Sequence, residues 1–412
     1  MSDESVEEFR QRARAWLKDN MPPLSPASWD RRAAGRRDIE RDLQRRLWDG
    51  GFAGICFPAE YGGLGLSLDY QEAFSDESAP YDMPFTFNLP TFSILAATLV
   101  DFGTHEQKLR HLPAILKGEE LWVQFLSEPS GGSDLAGCLT RADRDGDVFI
   151  LNGSKIWSSG AAESDYAMCL VRTNWDVPKH RGLTMFILKI HQPGVKVEQI
   201  RQVDGSMEFC QEFFDDVVVP VDDVVGEIDD GWSVATRLLT HEREAVGGHS
   251  MYTSGRSIGH DPSNDDDNTI VQMMKALGLE ADRRARQLVA EAQVRQMVGQ
   301  ALIDRIGTGI AKGTAPPTSG AILKLFIATG VMRRAEIGLE IAGESAAAWP
   351  VQDPHTPSQI MSEMSLWRQG MSLGGGSNEI QRNIISERVL GMPREYAADR
   401  EVPYREVKRT GG

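Results

Sequence analysis

The sequence predicts an α+β chain of several domains, ordered helix, strand, helix in three blocks. Three observations carry that prediction. Apolar residues recur at helical spacing up to about residue 120. Short apolar runs broken by Pro, Gly, Asn and Asp fill residues 121 to about 226. Helical texture then returns from Trp232 onward. At 412 residues the chain is too long for one core.

In the first block Val6, Phe9, Ala13 and Leu17 mark one helix face, and Leu43, Leu47 and Trp48 mark another. Pro58–Gly65 (PAEYGGLG) reads as a loop, and Ile94–Leu116 as helix again. In the second block, Val148–Leu151, Asn152-Gly153 and Lys155–Trp157 read as two strands about an Asn-Gly hairpin turn. Further short strands follow, suggesting a barrel or sandwich. In the third block, residues 270–306, 318–345 and 376–390 are long enough for bundle helices. The polar segment Ser254–Asn268 reads as a loop between them.

Composition narrows the function. Hydrophobic residues at 41% and charged residues at 25% are those of a globular protein. The 44 basic against 60 acidic residues give a net charge of −16, which argues against nucleic-acid binding. No apolar run approaches the roughly 18 residues of a membrane span. Cys56, Cys138, Cys169 and Cys210 are widely spaced, so neither a disulfide framework nor a zinc knuckle is expected. The acidic start MSDESVEEF lacks the build of a signal or transit peptide, and the chain reads as cytoplasmic.

The sequence has no P-loop and no G-x-G-x-x-G. His241-Glu242 opens like a zinc motif, but Ala245 stands at the second His position, so no metal is expected. Three segments remain. Phe125–Gly137 (FLSEPSGGSDLAG) offers backbone N–H groups and the hydroxyls of Ser127 and Ser133 to anionic oxygens. Leu151–Asp165 (LNGSKIWSSGAAESD) carries Trp157, an indole able to cover a flat ring, with Ser159 two residues on. Met371–Gly391 (MSLGGGSNEIQRNIISERVLG) is a glycine-rich turn entering a helix, with Ser377 as N-cap. Taken singly, each also reads as an ordinary loop, strand or cap.

In this order and spacing the three segments resemble the acyl-CoA dehydrogenase family, as do Phe102–Glu119 and Asp229–Arg243. The resemblance implies an N-terminal helical domain (1–120), a middle β-barrel domain (121–228) and a C-terminal four-helix bundle (229–412). It also implies an FAD cofactor, an acyl-CoA substrate and an electron-transfer flavoprotein as acceptor. Carried over by position, Leu126 and Ser127 would contact the flavin ring. Gly132 and Ser133 would line the phosphate region of FAD and CoA. Trp157 would pack on the ring and Ser159 would bond near N5. Gly343, Ser377 and Glu379 would lie near the FAD pyrophosphate and adenosine.

Two departures stand out. The position where many members carry the catalytic base is Gly375. A subset, similar to isovaleryl-CoA and long-chain enzymes, carries the base in a Glu-Arg pair on the first bundle helix, and Glu242-Arg243 falls there. Glu242 is thus the expected base, with Arg243 beside the substrate. Glu244 is the fallback, pointing off that face. The family's Arg-x-x-Phe-Gly grip on a neighbouring subunit's FAD is also missing. Arg283, Arg284 and Arg286 are its possible substitutes. The expectation is therefore a homotetramer, or an α2β2 heterotetramer whose related subunit supplies the grip. The rival readings are a non-catalytic or half-site subunit and a flavin monooxygenase of the same fold.

Overall fold

The computed structural model describes residues 4–25, 28, 35–246, 250–255, 266–347 and 356–407. The chain divides into two compact units. One comprises Met1–Arg201, Ser206–Gly259 and Ala397–Gly412, the other Gln202–Gly205 and His260–Tyr396.

The first unit opens with helices α1 (Val6–Asn20), α2 (Arg36–Asp49) and α3 (Leu68–Ser78). A wide-turned segment, Phe87–Ala96, then runs into α4 (Ala97–Phe102) and α5 (His105–Leu116). Phe9, Ala13 and Leu17 of α1 are buried with Leu43 and Leu47 of α2, which is the stripe their spacing predicts. Capping boxes start α1 and α5. Ser5 and Glu8 bond reciprocally, as do Thr104 and Gln107, and each cap contributes about 1 kcal/mol.

Eight strands follow: β1 (Trp122–Phe125), β2 (Arg141–Asp145), β3 (Val148–Ser159), β4 (Tyr166–Arg172), β5 (Leu183–Lys189), β6 (Val195–Gln199), β7 (Phe209–Pro220) and β8 (Val224–Val225). They join in one sheet, ordered β6-β7-β3-β2-β4-β5-β8, with β1 pairing β4 in parallel. Both faces of the centre are apolar. Ala167, Cys169 and Val171 of β4 face one core with Phe186 and Leu188 of β5, while Met168, Leu170, Met185 and Ile187 pack with the helices. All four cysteines are buried free thiols.

The Asn152-Gly153 turn is corrected. Residues 148–159 form one continuous strand, and the register against β7 slips between Leu151 and Gly153. Asn152 exchanges side-chain bonds with Asp216, Nδ2 donating at 2.9 Å and Oδ1 accepting from its N–H at 3.0 Å. The dipeptide therefore marks a bulge. The hairpin lies just before it, at Gly146 (φ 59°), which joins β2 to β3.

Residues 229–412, expected as one bundle, divide between the units. Helix α6 (Gly231–Val246) lies in the first, its Val234, Ala235, Leu238 and Ala245 buried with Leu95, Leu99 and Met185. The second unit holds α7 (Asp266–Ala276), α8 (Arg283–Ala311), α9 (Gly320–Ala342), α10 (Pro357–Trp367), α11 (Gly370–Leu373) and α12 (Asn378–Ile384). The helix expected over 270–306 breaks where Gly278 turns left-handed (φ 67°) and Asp282 caps α8 through the Ala285 N–H. Most of the Ser254–Asn268 loop lies outside the described residues. Ser254 itself is buried and donates its N–H to Asn88. No described helix is long and apolar enough to cross a membrane.

Candidate active site

β1 ends at Phe125 and runs directly into the glycine-rich segment. Leu126 is buried, Ser127 is half-buried, and Gly132 and Ser133 are exposed. A reciprocal turn pins the start, with the Gly131 N–H donating to the Glu128 carbonyl (2.9 Å) and the Glu128 N–H returning to Gly131 (3.3 Å). From beneath, the fully buried Lys155 ammonium donates to the Leu126 carbonyl (3.1 Å) and to Glu128 Oε1 (2.9 Å). Glu128 also accepts the N–H groups of Leu139 (2.6 Å) and Thr140 (2.9 Å). Burial alone would raise the Glu128 carboxyl. The charge and hydrogen bond of Lys155, with the bonds from Thr140 and Cys138, outweigh it and hold the group at about 2.

The far end of the segment is held the same way. Buried Arg172 donates to the carbonyls of Ala136 (2.6 Å) and Cys138 (3.1 Å). Its guanidinium lies 3.8 Å from the Tyr404 ring centre, and the Tyr404 hydroxyl donates to the Gly137 carbonyl. Lys155, Glu128 and Arg172 were not singled out from the sequence. A usable signal existed, since Lys155 and Arg172 are charged residues standing at inward positions of apolar strands.

The Ile156 N–H donates to the Ser127 carbonyl (2.9 Å), which fastens β3 to this loop. The next residue, Trp157, is the extra one in a second slip against β7, between Ile156 and Ser158. It takes a left-handed backbone (φ 68°), unusual for a bulky residue, and its indole is 54% exposed. Ser158 turns inward and donates to buried Glu212 (2.9 Å), while Ser159 is exposed like Trp157. Glu212 Oε1 has no partner among the described residues, and burial pushes this carboxyl up to about 7.

On α6, Glu242 falls four residues after Leu238 and three before Ala245, both buried, so a carboxylate stands within the apolar stripe. It is half-buried, and the Gln124 Nε2 amide donates to its Oε2 at 3.1 Å. Gln124 is on β1, two residues before Leu126. One hydrogen bond thus ties Glu242 to the strand that becomes the glycine-rich segment. Arg243 is half-buried and donates to Thr240 (3.0 Å). Burial lowers its guanidinium below the ordinary value, which Glu242 and Glu244 partly offset. Glu244 is exposed and turned to His241 (3.4 Å), whose bond holds its carboxyl low. Buried His241 also reaches Asp101 on α4 (2.9 Å), which takes a bond from Arg237. This ladder fastens the helix that carries Glu242.

Models of the acyl-CoA dehydrogenase N-terminal, middle and C-terminal domains match residues 3–119, 124–217 and 229–390. The chain belongs to the acyl-CoA dehydrogenase family. It is 35% identical over 401 residues to acyl-CoA dehydrogenase IpdE1 of Mycobacterium tuberculosis, covering 95% of this chain and 99% of that one. Among solved structures it is similar to the Tcur3481-Tcur3483 steroid ACAD (TM-score 0.75, 28% identity, 96% of this chain and 99% of that). It is also similar to the ChsE4-ChsE5 complex of M. tuberculosis (TM-score 0.71, 27% identity, 96% of this chain and 100% of that).

Acyl-CoA dehydrogenases are FAD-dependent oxidoreductases, and the residues present fit that cofactor. A half-exposed indole on a strained backbone, flanked by an exposed hydroxyl, presents a face for a flat polar ring. In the glycine-rich segment a Cβ at Gly131 would meet nothing within 4 Å, while one at Gly132 would press on the Ser127 hydroxyl at 3.2 Å. The remaining family positions lie in the second unit. Gly343 ends α9 in a conformation closed to other residues (φ 54°, ψ −129°). Ser377 caps α12, accepting from the Ile380 N–H (3.3 Å), and Glu379 is exposed. Gly375, where many members carry their base, has φ 65°. Of the substitutes for the missing grip, Arg284 pairs with Glu340 (2.6 Å), while Arg283 and Arg286 line a shallow groove at the start of α8.

Proposed function

We propose that this acyl-CoA dehydrogenase converts an acyl-CoA thioester into its trans-2-enoyl-CoA, with Glu242 removing the proton from Cα. The observation that carries the reading is the Gln124–Glu242 hydrogen bond. It holds a carboxylate against the strand leading into Leu126 and Ser127, in a chain whose Gly375 leaves the other family position without a carboxylate.

The α-proton of a thioester is weakly acidic, so its base must be held close to Cα in a fixed orientation. Leu238 and Ala245, buried on the face of α6 that carries Glu242, keep that helix in place. Arg243 orients the base or the CoA. Leu126, Ser127 and Ser159 would meet the flavin ring, with Trp157 packed on it. Gly132 and Ser133 would line the FAD and CoA phosphates, and Gly343, Ser377 and Glu379 the pyrophosphate and adenosine. Backbone N–H groups polarise the thioester carbonyl. FAD, when bound, would supply the acceptor for the hydride leaving Cβ, with an electron-transfer flavoprotein as the proposed onward acceptor.

The substrate proposed is branched or bulky and ring-bearing, supported by the likeness to a steroid ACAD. The assembly proposed is cytoplasmic and pairs this chain with a related, non-identical subunit. The likeness to the ChsE4-ChsE5 complex and the lack of the usual phosphate-gripping segment support it. Arg283 and Arg286 are the candidates for a grip from this chain. A stoichiometric flavoprotein obtained from this chain alone would remove the need for the partner.

Glu242→Gln is expected to lower kcat by roughly 10²- to 10⁴-fold while flavin stays bound. The measurement is flavin bleaching on anaerobic mixing, across a panel of straight, branched and steroid-type CoA thioesters. Bleaching at the wild-type rate would overturn the assignment. A monooxygenase would need a separate reductant for bleaching, and a scaffold subunit would show none.

A further inference from the structure

The Gln124 amide is paired at one end only. Its Nε2 donates to Glu242 Oε2 at 3.1 Å, whereas its Oε1 is buried and accepts nothing among the described residues. Neighbouring structure keeps the backbone beneath it from shifting. Val123 and Phe125 are buried on either side, Gln124 stands opposite Met168 of β4, and Thr91 Oγ1 bonds both the N–H and the carbonyl of Trp122 at 3.0 Å. A buried amide oxygen without a partner costs free energy, and Gln124 differs from the other buried amides in that its donor end meets the carboxylate of Glu242.

We propose that Gln124 is a positioning residue serving both protonation states of Glu242. The inference rests on Glu242 being the base. Before the reaction Glu242 is a carboxylate and needs a donor, which the amide N–H supplies. In the reaction the Cα–H bond breaks, its proton forms an O–H bond on Glu242, and the electron pair left at Cα enters the new C=C bond as hydride departs from Cβ. Glu242 is then a donor and needs an acceptor. A half-turn of the amide about its terminal bond offers Oε1, with neither backbone moving. An amide is the one neutral side-chain group of this length presenting a donor and an acceptor at equivalent positions. A carboxamide here therefore follows the base through its change of charge and keeps it aimed.

The test reads proton removal apart from oxidation. Phenylacetyl-CoA has exchangeable α-hydrogens and no transferable β-hydride. Its deuterium uptake from D₂O, catalysed by the purified holoenzyme and followed by mass spectrometry, reports the base alone. Glu242→Gln should abolish uptake. Gln124→Leu should slow it by about 10- to 100-fold with flavin content unchanged. It should also move the acid limb of the pH profile upward by about one unit, because the bond to the charged carboxylate is the stronger of the two lost. Gln124→Met, unbranched and close in length, should repeat both effects if Leu impairs folding. Wild-type rate and pH midpoint in either folded variant would overturn the role of Gln124. No uptake by the wild type, or uptake that survives Glu242→Gln, would overturn the base assignment instead.

Discussion

Two buried carboxylates flank the inward side of β3 and behave in opposite ways. Glu128 is surrounded by a buried ammonium, two backbone N–H groups and a thiol, and is held at about 2. Glu212, directly across the ladder from Lys155, takes the Ser158 hydroxyl on one oxygen, leaves the other without a partner among the described residues, and is pushed to about 7. The difference lies in the paired ammonium first and the number of donors second, not in depth. Where a cation and several donors converge, a buried carboxylate is a fixed anion that organises a loop. Where they are lacking it titrates near neutrality.

The strongest way to break this contrast is Lys155→Met. It leaves Glu128 charged and buried among weaker donors, and an expected loss of roughly 3–5 kcal/mol should appear in urea unfolding. Flavin content should fall with it, since Lys155 also holds the Leu126 carbonyl. A stability loss with flavin retained at wild-type level would show that the loop stands without its anchor.

Glu212→Gln probes the other side. A carboxyl raised from 4.5 to about 7 favours the fold below 4.5, and that contribution is lost as the pH rises through 7. The variant should match the wild type near pH 4.5 and exceed it at pH 8 by up to roughly 3 kcal/mol. Glu128 runs the other way. Its contribution is in place above 4.5 and is lost only as the pH falls towards 2, so it adds no slope near neutrality. Parallel stability profiles for the variant and the wild type between pH 5 and 8 would contradict the assignment of Glu212.

Ser158→Ala gives the smallest effect. Removing the donor to Glu212 should cost about 1 kcal/mol at pH 8, with little change at pH 5, measured by thermal melting at the two values. Equal losses at both would mean that the serine matters for packing.

Much of the fold was legible in the sequence because periodicity reports burial directly. The stripe Phe9, Ala13, Leu17 became α1, and the Ser377 cap opens α12 where the sequence places it. Asn152-Gly153 misled because a turn dipeptide and a bulge need the same left-tolerant backbone, and only the partner strand decides between them. Within the proposed site, Trp157 and Ser127 stood out as residue types in a pattern, while Glu242 was reached through the family resemblance. Gln124, Lys155, Glu128 and Arg172 did not, because each works by contact across long stretches of sequence. Gln124 meets a residue 118 positions away.

The clasp at the end of the first unit has a practical meaning. Tyr404 reaches back 267 positions to the Gly137 carbonyl and stacks on the guanidinium that holds both neighbours of that glycine. Anything fused to or tugging on the stretch around Pro403 is coupled mechanically to the glycine-rich segment, so the placement of an affinity tag becomes a variable in every cofactor titration.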